Sequence, residues 1–289
     1  MREKAIRFGQ TATLVGVLAE PSTKDPRRDR PAVVMLNSGI LHRVGFCRMH
    51  VRLARRFADE GVTALRFDFS GIGDSEPRRD TLAFEESAPL EVRETMDYLE
   101  AKGFTTFILL GLCSGADMAF DVARVDRRVV GVAQLDAFAY RTKRFWLHHY
   151  GPRLTDRAAW GRLLRKVAGR GPKRRSGPTE MEEIPTYVRD FPPRDRVARD
   201  LRGLVERDVQ QLYIYSGGQA GFYNYRTQFR DMFRDVDFLN TLQVEYVPEA
   251  DHIFTGLGPQ DFVIETTSRW MARLWPDSVG VPGEAPAAA

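Results

Sequence analysis

Cys113 stands at the centre of Gly111-Leu112-Cys113-Ser114-Gly115, directly after the apolar run Phe107-Ile108-Leu109-Leu110 and ahead of a helix-like pattern. A thiolate in that place can attack a carbonyl and hold the acyl group as a thioester. The arrangement has the form of a nucleophile elbow, where a strand turns sharply into a helix and lifts one side chain above the sheet. Gly111 and Gly115 leave room for a strained turn and for close strand–helix packing. Moving the frame onto Ser114 would put Leu112 and Ala116 at the small-residue positions, and Leu112 is too bulky. Taken alone, the pentapeptide also reads as a core cysteine beside a glycine turn. At a helix N-terminus and next to a histidine, however, a thiol falls below its usual pKa of ~8.5 and becomes a working nucleophile. The chain has five histidines, and His252, in Glu249-Ala250-Asp251-His252, is the only one in its last third.

The elements that must position these groups alternate along the chain. Residues 3–20 alternate loosely and read as an opening antiparallel pair. The charged, turn-rich stretch from Pro21 to Pro31 is a loop. Ala32–Leu36 is a short apolar run, as expected of a strand buried on both faces, and leads into Asn37-Ser38-Gly39-Ile40. A helix over 47–60, ended by Gly61, precedes a strand over 62–69, and a second helix spans 88–101. The Phe107 strand, the elbow helix and the buried strand Val129–Leu135, which ends at Asp136, complete this half. After a break, strands at Gln211–Tyr215 and Leu242–Val247 and helices near 224–234 and 260–274 resume the rhythm. Strands alternating with helices predict an α/β fold with a mostly parallel central sheet and helices on both faces.

Residues 139–205 interrupt that pattern. They are basic, rich in Trp and Pro, and lack buried-strand runs, so they read as a lid inserted between core segments 1–138 and 206–276, with 277–289 a disordered Pro/Ala/Gly tail. From Arg141 to Arg175 there are twelve Lys/Arg against one acid, a local charge of +11 in a chain whose total is +4. A basic island on an acidic body suggests an anionic partner or a solvated surface. Aromatics do not interleave with these charges as a nucleic-acid groove requires, so nucleic acid is not expected. No apolar run approaches the ~20 residues of a membrane span. The start, Met1–Gln10, has no apolar core of a secretory signal, and two cysteines make no disulfide framework; a reducing cytoplasm is the expected compartment. The sequence carries no metal-ligand, dinucleotide or P-loop motif, so no cofactor is expected.

Three separated motifs resemble those of the α/β hydrolases, in order and over nearly the whole length. Phe67-Asp68-Phe69-Ser70-Gly71-Ile72-Gly73-Asp74-Ser75 is similar to the family's loop after an early strand, Gly111–Gly115 to its elbow, and Ala250-Asp251-His252-Ile253-Phe254 to the loop of its catalytic histidine. Asn37–Gly45 and Tyr215–Tyr225 resemble short bacterial members, including hydrolases encoded near exopolysaccharide or exosortase systems. A cysteine nucleophile is similar to that of dienelactone hydrolases and of shuttles that move aminoacyl groups between carrier proteins. The resemblance implies Cys113 as nucleophile and His252 as base, then acid. The family's acid usually follows the strand after the lid, but Ser216-Gly217-Gly218-Gln219 holds no carboxylate. Some members take the acid from the strand after the elbow helix, which here implies Asp136; a Cys–His dyad is the alternative. The oxyanion hole would be the Ser114 amide with that of Gly39 or Ile40. Asp68, Gly71, Gly73 and Ser75 are expected to shape a loop, and Cys47 to sit in a helix core.

The expected activity is acyl transfer through a Cys113 thioester, to water or to another acceptor. The expected partner is an acyl-carrying small molecule or an acyl carrier protein, met by Lys173, Arg174 and Arg175. A hydrolase-fold binding protein whose chemistry has lapsed, serving polysaccharide export or a biosynthetic cluster, is the other class, supported by the missing acid after Tyr215.

Overall fold

The computed structural model describes residues 1–10, 13–22, 28–155 and 191–276. The strands are β1 (Arg2–Phe8), β2 (Leu14–Glu20), β3 (Ala32–Leu36), β4 (Ala64–Asp68), β5 (Phe107–Leu112), β6 (Val129–Leu135), β7 (Gln210–Ser216) and β8 (Leu242–Val247). They form one eight-stranded sheet in the order β1-β2-β4-β3-β5-β6-β7-β8. β1 and β2 pair antiparallel and β2 joins β4 antiparallel; every pairing from β4 to β8 is parallel. Parallel neighbours need crossovers, and the helices α1 (Met49–Asp59), α2 (Phe84–Glu100), α3 (Ser114–Ala123), α4 (Lys143–Thr155), α5 (Arg194–Glu206), α6 (Gln228–Met232) and α7 (Leu257–Leu274) lie between the strands or after β8.

The side-chain period of two divides each central strand between two cores. Ala32, Val34 and Leu36 of β3 face one cluster, with Val92, Met96 and Leu99 of α2 and Ala116, Ala119 and Phe120 of α3. Val33 and Met35 face the other, with Leu53 and Phe57 of α1 and Val263, Trp270 and Met271 of α7. Burial on both faces is why these strands read as unbroken apolar runs.

Three local readings are corrected. Helix α5 lies at the end of the interval expected to be an insertion. Its Val197, Ala198, Leu201 and Leu204 are buried in the same core as α2 and α3, so the helix leading into β7 belongs to the sheet's own packing. The helix expected over 224–234 is only the five residues of α6, because Tyr223 and Tyr225 before it are buried in a turn, with Tyr223 stacked on Tyr215 at 3.8 Å between ring centroids. Cys47 is exposed in a short 3-10 turn just ahead of α1 rather than in a helix core, since its backbone takes a positive φ of 46°. Lys173, Arg174, Arg175 and the tail lie outside the described residues.

Candidate active site

Strands β5, β6 and β8 bring Cys113, Asp136 and the His252 loop to the same edge of the sheet. β5 ends at Leu112, and Cys113 follows with φ 55° and ψ −119° before α3 begins at Ser114. Such a conformation is costly for a residue with a Cβ, of order 1–3 kcal/mol, and persists where its surroundings enforce it. They do so here through close packing. A Cβ on Gly111 would come within 2.3 Å of the Gly115 backbone, and one on Gly115 within 2.6 Å of the Asn37 carbonyl oxygen. The Cys113 amide donates to Leu135 O at 2.9 Å, and its carbonyl accepts from Ala116 and Asp117, which closes the turn. Both glycines of the elbow are therefore required by contact.

Asp136 follows β6, is fully buried, and also has a positive φ, 45°. Its Oδ2 lies 2.7 Å from His252 Nδ1. The rest of the carboxylate accepts from Ser216, at 2.7 Å from the amide and 2.6 Å from the hydroxyl. A buried carboxylate with its lone pairs so filled is a fixed acceptor for one imidazole N–H. The loop carrying His252 is drawn close by the glycines after β7. A Cβ on Gly218 would sit 2.1 Å from the His252 amide nitrogen, and one on Gly217 1.9 Å from the Pro248 carbonyl oxygen. Asp251, the neighbouring acid, is turned to Thr255, whose amide it accepts at 2.8 Å, and so folds the loop rather than holding the ring.

With Nδ1 on Asp136, the other ring nitrogen of His252 is left for the Cys113 thiol, with which the ring shares a hydrogen bond. The Asp136 hydrogen bond, then the one to Cys113, raise His252 from its usual 6.5 to about 9, against a burial that works the other way. An imidazolium beside a thiol favours the thiolate. His50, by contrast, is buried under the loop after β3, where desolvation lowers it to about 4 and keeps it neutral.

Sequence reasoning missed Gln219. Its side-chain amide reaches His252 Nδ1 at 3.0 Å from the turn where a carboxylate was sought. The atom that lies there is the amide nitrogen Nε2, and since a ring nitrogen that donates to Asp136 has no lone pair to spare, the amide would have to turn its oxygen to the ring to accept from it. The signal available was a polar side chain at that turn, two residues after Gly217.

Of the expected oxyanion donors, Gly39, with φ 54°, directs its amide to Ser114 Oγ at 2.8 Å, beside the elbow. Ile40 is 91% exposed. The loop carrying them is anchored from below. Asn37 Oδ1 accepts the Phe69 amide at 3.1 Å, and its Nδ2 donates to Leu41 O at 2.6 Å. Arg43 pairs with both Asp68 and Asp74, and Ser75 Oγ donates to Asp68 O at 2.7 Å. A Cβ on Gly73 would strike the Asp68 carboxylate. Asp68, Gly73 and Ser75 thus tie the loop after β4 to the loop after β3.

Above Cys113, Ser114 and His252 opens a cavity of about 610 Å³, walled by Ile40, Leu41, Phe46, Ile72 and Phe84, with Glu85 the one acid on its wall among the described residues. Its size falls among small-molecule sites, roughly 300–1,000 Å³. No group of three His, Cys, Asp or Glu side chains able to hold a metal occurs among the described residues. Nor is any described helix long and apolar enough to cross a membrane.

No protein-family model and no curated protein matches the sequence. Solved structures do. The α/β hydrolase GrgF of Penicillium sp. sh18 superposes with a TM-score of 0.59 at 14% identity, over 94% of this chain and 99% of that one. The fold is that of the α/β hydrolases. An esterase of Pyrococcus furiosus matches with a TM-score of 0.57 at 13% identity over 94% of this chain and 90% of its own. A hydrolase described as putative from Agrobacterium vitis S4 gives 0.56 at 16% over 93% and 98%. At such identities the likeness is one of fold, and activity has to be argued from the site.

Proposed function

We propose that the protein is an acyl-transferring enzyme, a thioesterase, esterase or acyltransferase, working through a Cys113 thioester. The observation that carries this reading is the chain of contacts from buried Asp136 to His252 Nδ1, 2.7 Å, and from the same ring to Cys113. In the first half-reaction the Cys113 thiolate adds to the carbonyl carbon of an ester or thioester, and the carbonyl π electrons move to oxygen. The His252 imidazolium gives its Nε2 proton to the departing alkoxide or thiolate as the carbonyl re-forms. In the second, neutral His252 takes a proton from water or another acceptor as it attacks the thioester, and collapse expels the Cys113 thiolate. Asp136 keeps the Nδ1 proton in place throughout, so that Nε2 faces the chemistry. The apolar walls suit an uncharged acyl chain.

The pre-assembled relay also weighs against a lapsed hydrolase. Its best support was the missing acid after β7, and the carboxylate of Asp136 reaches the histidine from β6 instead. Intact mass after incubation with a panel of acyl esters and thioesters tests the proposal. An adduct of acyl mass mapped to Cys113, absent in Cys113→Ala, is expected; an adduct on Ser114, or none with any donor, refutes it.

A further inference from the structure

The Gly39 amide, an expected donor to the oxyanion, already has an acceptor: the side chain of Ser114, at 2.8 Å. Resting on the acyl-transfer reading, we infer that the Ser114 hydroxyl is itself an oxyanion donor, with Gly39 holding it in position. A hydroxyl oxygen that accepts one hydrogen bond still carries a proton to donate. Among the described residues that proton meets no acceptor, and neither does the Ser114 main-chain amide, which belongs to the first turn of α3 and has no intrahelical partner. Ser114 lines the cavity together with Cys113. One residue therefore offers two donors to an oxygen developing next to the sulfur, and the Gly39 N–H behind the hydroxyl polarises it toward donation.

The positive φ of Gly39, 54°, serves this arrangement. A Cβ there would meet nothing within 4 Å, so the glycine is needed for backbone conformation and not for space. Its exposed neighbour Ile40 is left as cavity wall. As Cys113 sulfur bonds to the carbonyl carbon, the oxygen gains the π electron pair and accepts hydrogen bonds from Ser114 N–H and O–H. No proton leaves the hydroxyl, and collapse of the intermediate returns it to its resting state.

The test compares wild type, Ser114→Ala and Ser114→Thr on p-nitrophenyl esters from acetyl to octanoyl. Readouts are kcat/KM, the affinity of an alkyl trifluoromethyl ketone that forms a tetrahedral adduct with the thiolate, and the rate of Cys113 alkylation by iodoacetamide, which forms no oxyanion. Loss of an oxyanion donor lowers turnover about 10²–10³-fold. Ser114→Ala should lose less, about 10–100-fold, because the released Gly39 amide takes over part of the work. Ketone affinity should fall by a similar factor, alkylation should hold steady, and threonine should restore most of the loss. If Ser114→Ala is as fast as wild type or faster, with ketone affinity unchanged, the hydroxyl is a bystander or a plug and the inference is overturned. Wild type that forms no Cys113 adduct with any ester overturns the acyl-transfer reading and this inference together; an adduct with no response to Ser114→Ala overturns only the latter.

Discussion

Replacing Asp136 by Asn should damage the site more than replacing it by Ala. The carboxylate accepts three hydrogen bonds, from the Ser216 amide, the Ser216 hydroxyl and His252 Nδ1. An Asn amide has one acceptor and one donor end. With its NH₂ toward the Ser216 amide, two donors face each other in a fully buried place, at about 1–3 kcal/mol. With its NH₂ toward His252, the ring must accept at Nδ1 and carry its proton on Nε2, so it cannot take a proton from Cys113 or an incoming acceptor. The second arrangement also removes the largest cause of the rise of His252 from 6.5 to about 9. At face value that rise is about 3 kcal/mol in favour of the imidazolium. The ring is 35% exposed, so screening leaves about 2. Adding about 1 kcal/mol for the wrong tautomer gives about 3 kcal/mol, on the order of 100-fold in kcat/KM. Asp136→Ala loses the charge but puts no donor in the carboxylate's place, and the Gln219 amide, whose nitrogen lies 3.0 Å from Nδ1, can turn its oxygen to the ring and hold the productive tautomer. The assay is kcat/KM on a p-nitrophenyl ester from pH 5 to 10 beside iodoacetamide alkylation of Cys113. In wild type the basic limb should fall near 9, and in both variants it should move toward 6.5. An Asn variant within a few-fold of wild type, or one more active than the Ala variant, would refute the tautomer reasoning.

Cys113→Ser should be nearly inactive at neutral pH, because a hydroxyl needs a neutral imidazole as base; whatever turnover remains should climb as pH rises and His252 loses its proton. Since the folded-state pKa of His252 lies above its unfolded value, the charged ring stabilises the fold fully below about 6.5, and that contribution disappears as pH rises through about 9. Thermal unfolding of wild type against His252→Gln should therefore differ more at pH 6 than at pH 9.5. Gly218→Ala would press a Cβ to 2.1 Å from the His252 amide, and should cost about 1–3 kcal/mol in urea unfolding together with most of the activity. Replacing Lys173, Arg174 and Arg175 with Ala should lower kcat/KM for an acyl-CoA or acyl-carrier donor, in a salt-dependent way, and leave a small neutral ester unaffected; equal effects on both donors would remove the anionic-donor proposal.

Much of this was legible because burial on both faces writes itself into sequence. Ala32–Leu36 and Val129–Leu135 read as strands over the very residues that form them; Leu242–Val247 did so too, although it is only half-buried. Asp136 stood out because the usual place for an acid held none and β6 ended in a carboxylate, with a Cys–His dyad as the alternative. Helix α5 escaped notice although Val197, Leu201 and Leu204 keep helical spacing, because Arg194, Asp195, Arg196, Arg199, Asp200 and Arg202 made the stretch look like a solvated insertion. The Gln219 contact had only a polar side chain at the turn after β7 to announce it, and the Ser114–Gly39 contact had no sequence signature. Both join loops 33 and 75 residues apart, and both depend on backbone turns whose shape follows from the packed sheet.

The three groups of the relay stand at positions 113, 136 and 252, each at the end of a different strand. A ribosome releases Cys113 long before His252 exists, and the β7–β8 pair that carries the histidine loop is the last of the sheet to be made. Until then Cys113 is an ordinary thiol, with neither an imidazolium beside it nor an elbow to expose it. On the proposed acyl-transfer reading, the sulfur is thus armed only when the chain is nearly complete and correctly docked. A truncated or misfolded copy carries no activated nucleophile, and the rate at which Cys113 reacts with a small alkylating agent becomes a direct gauge of how far folding has gone.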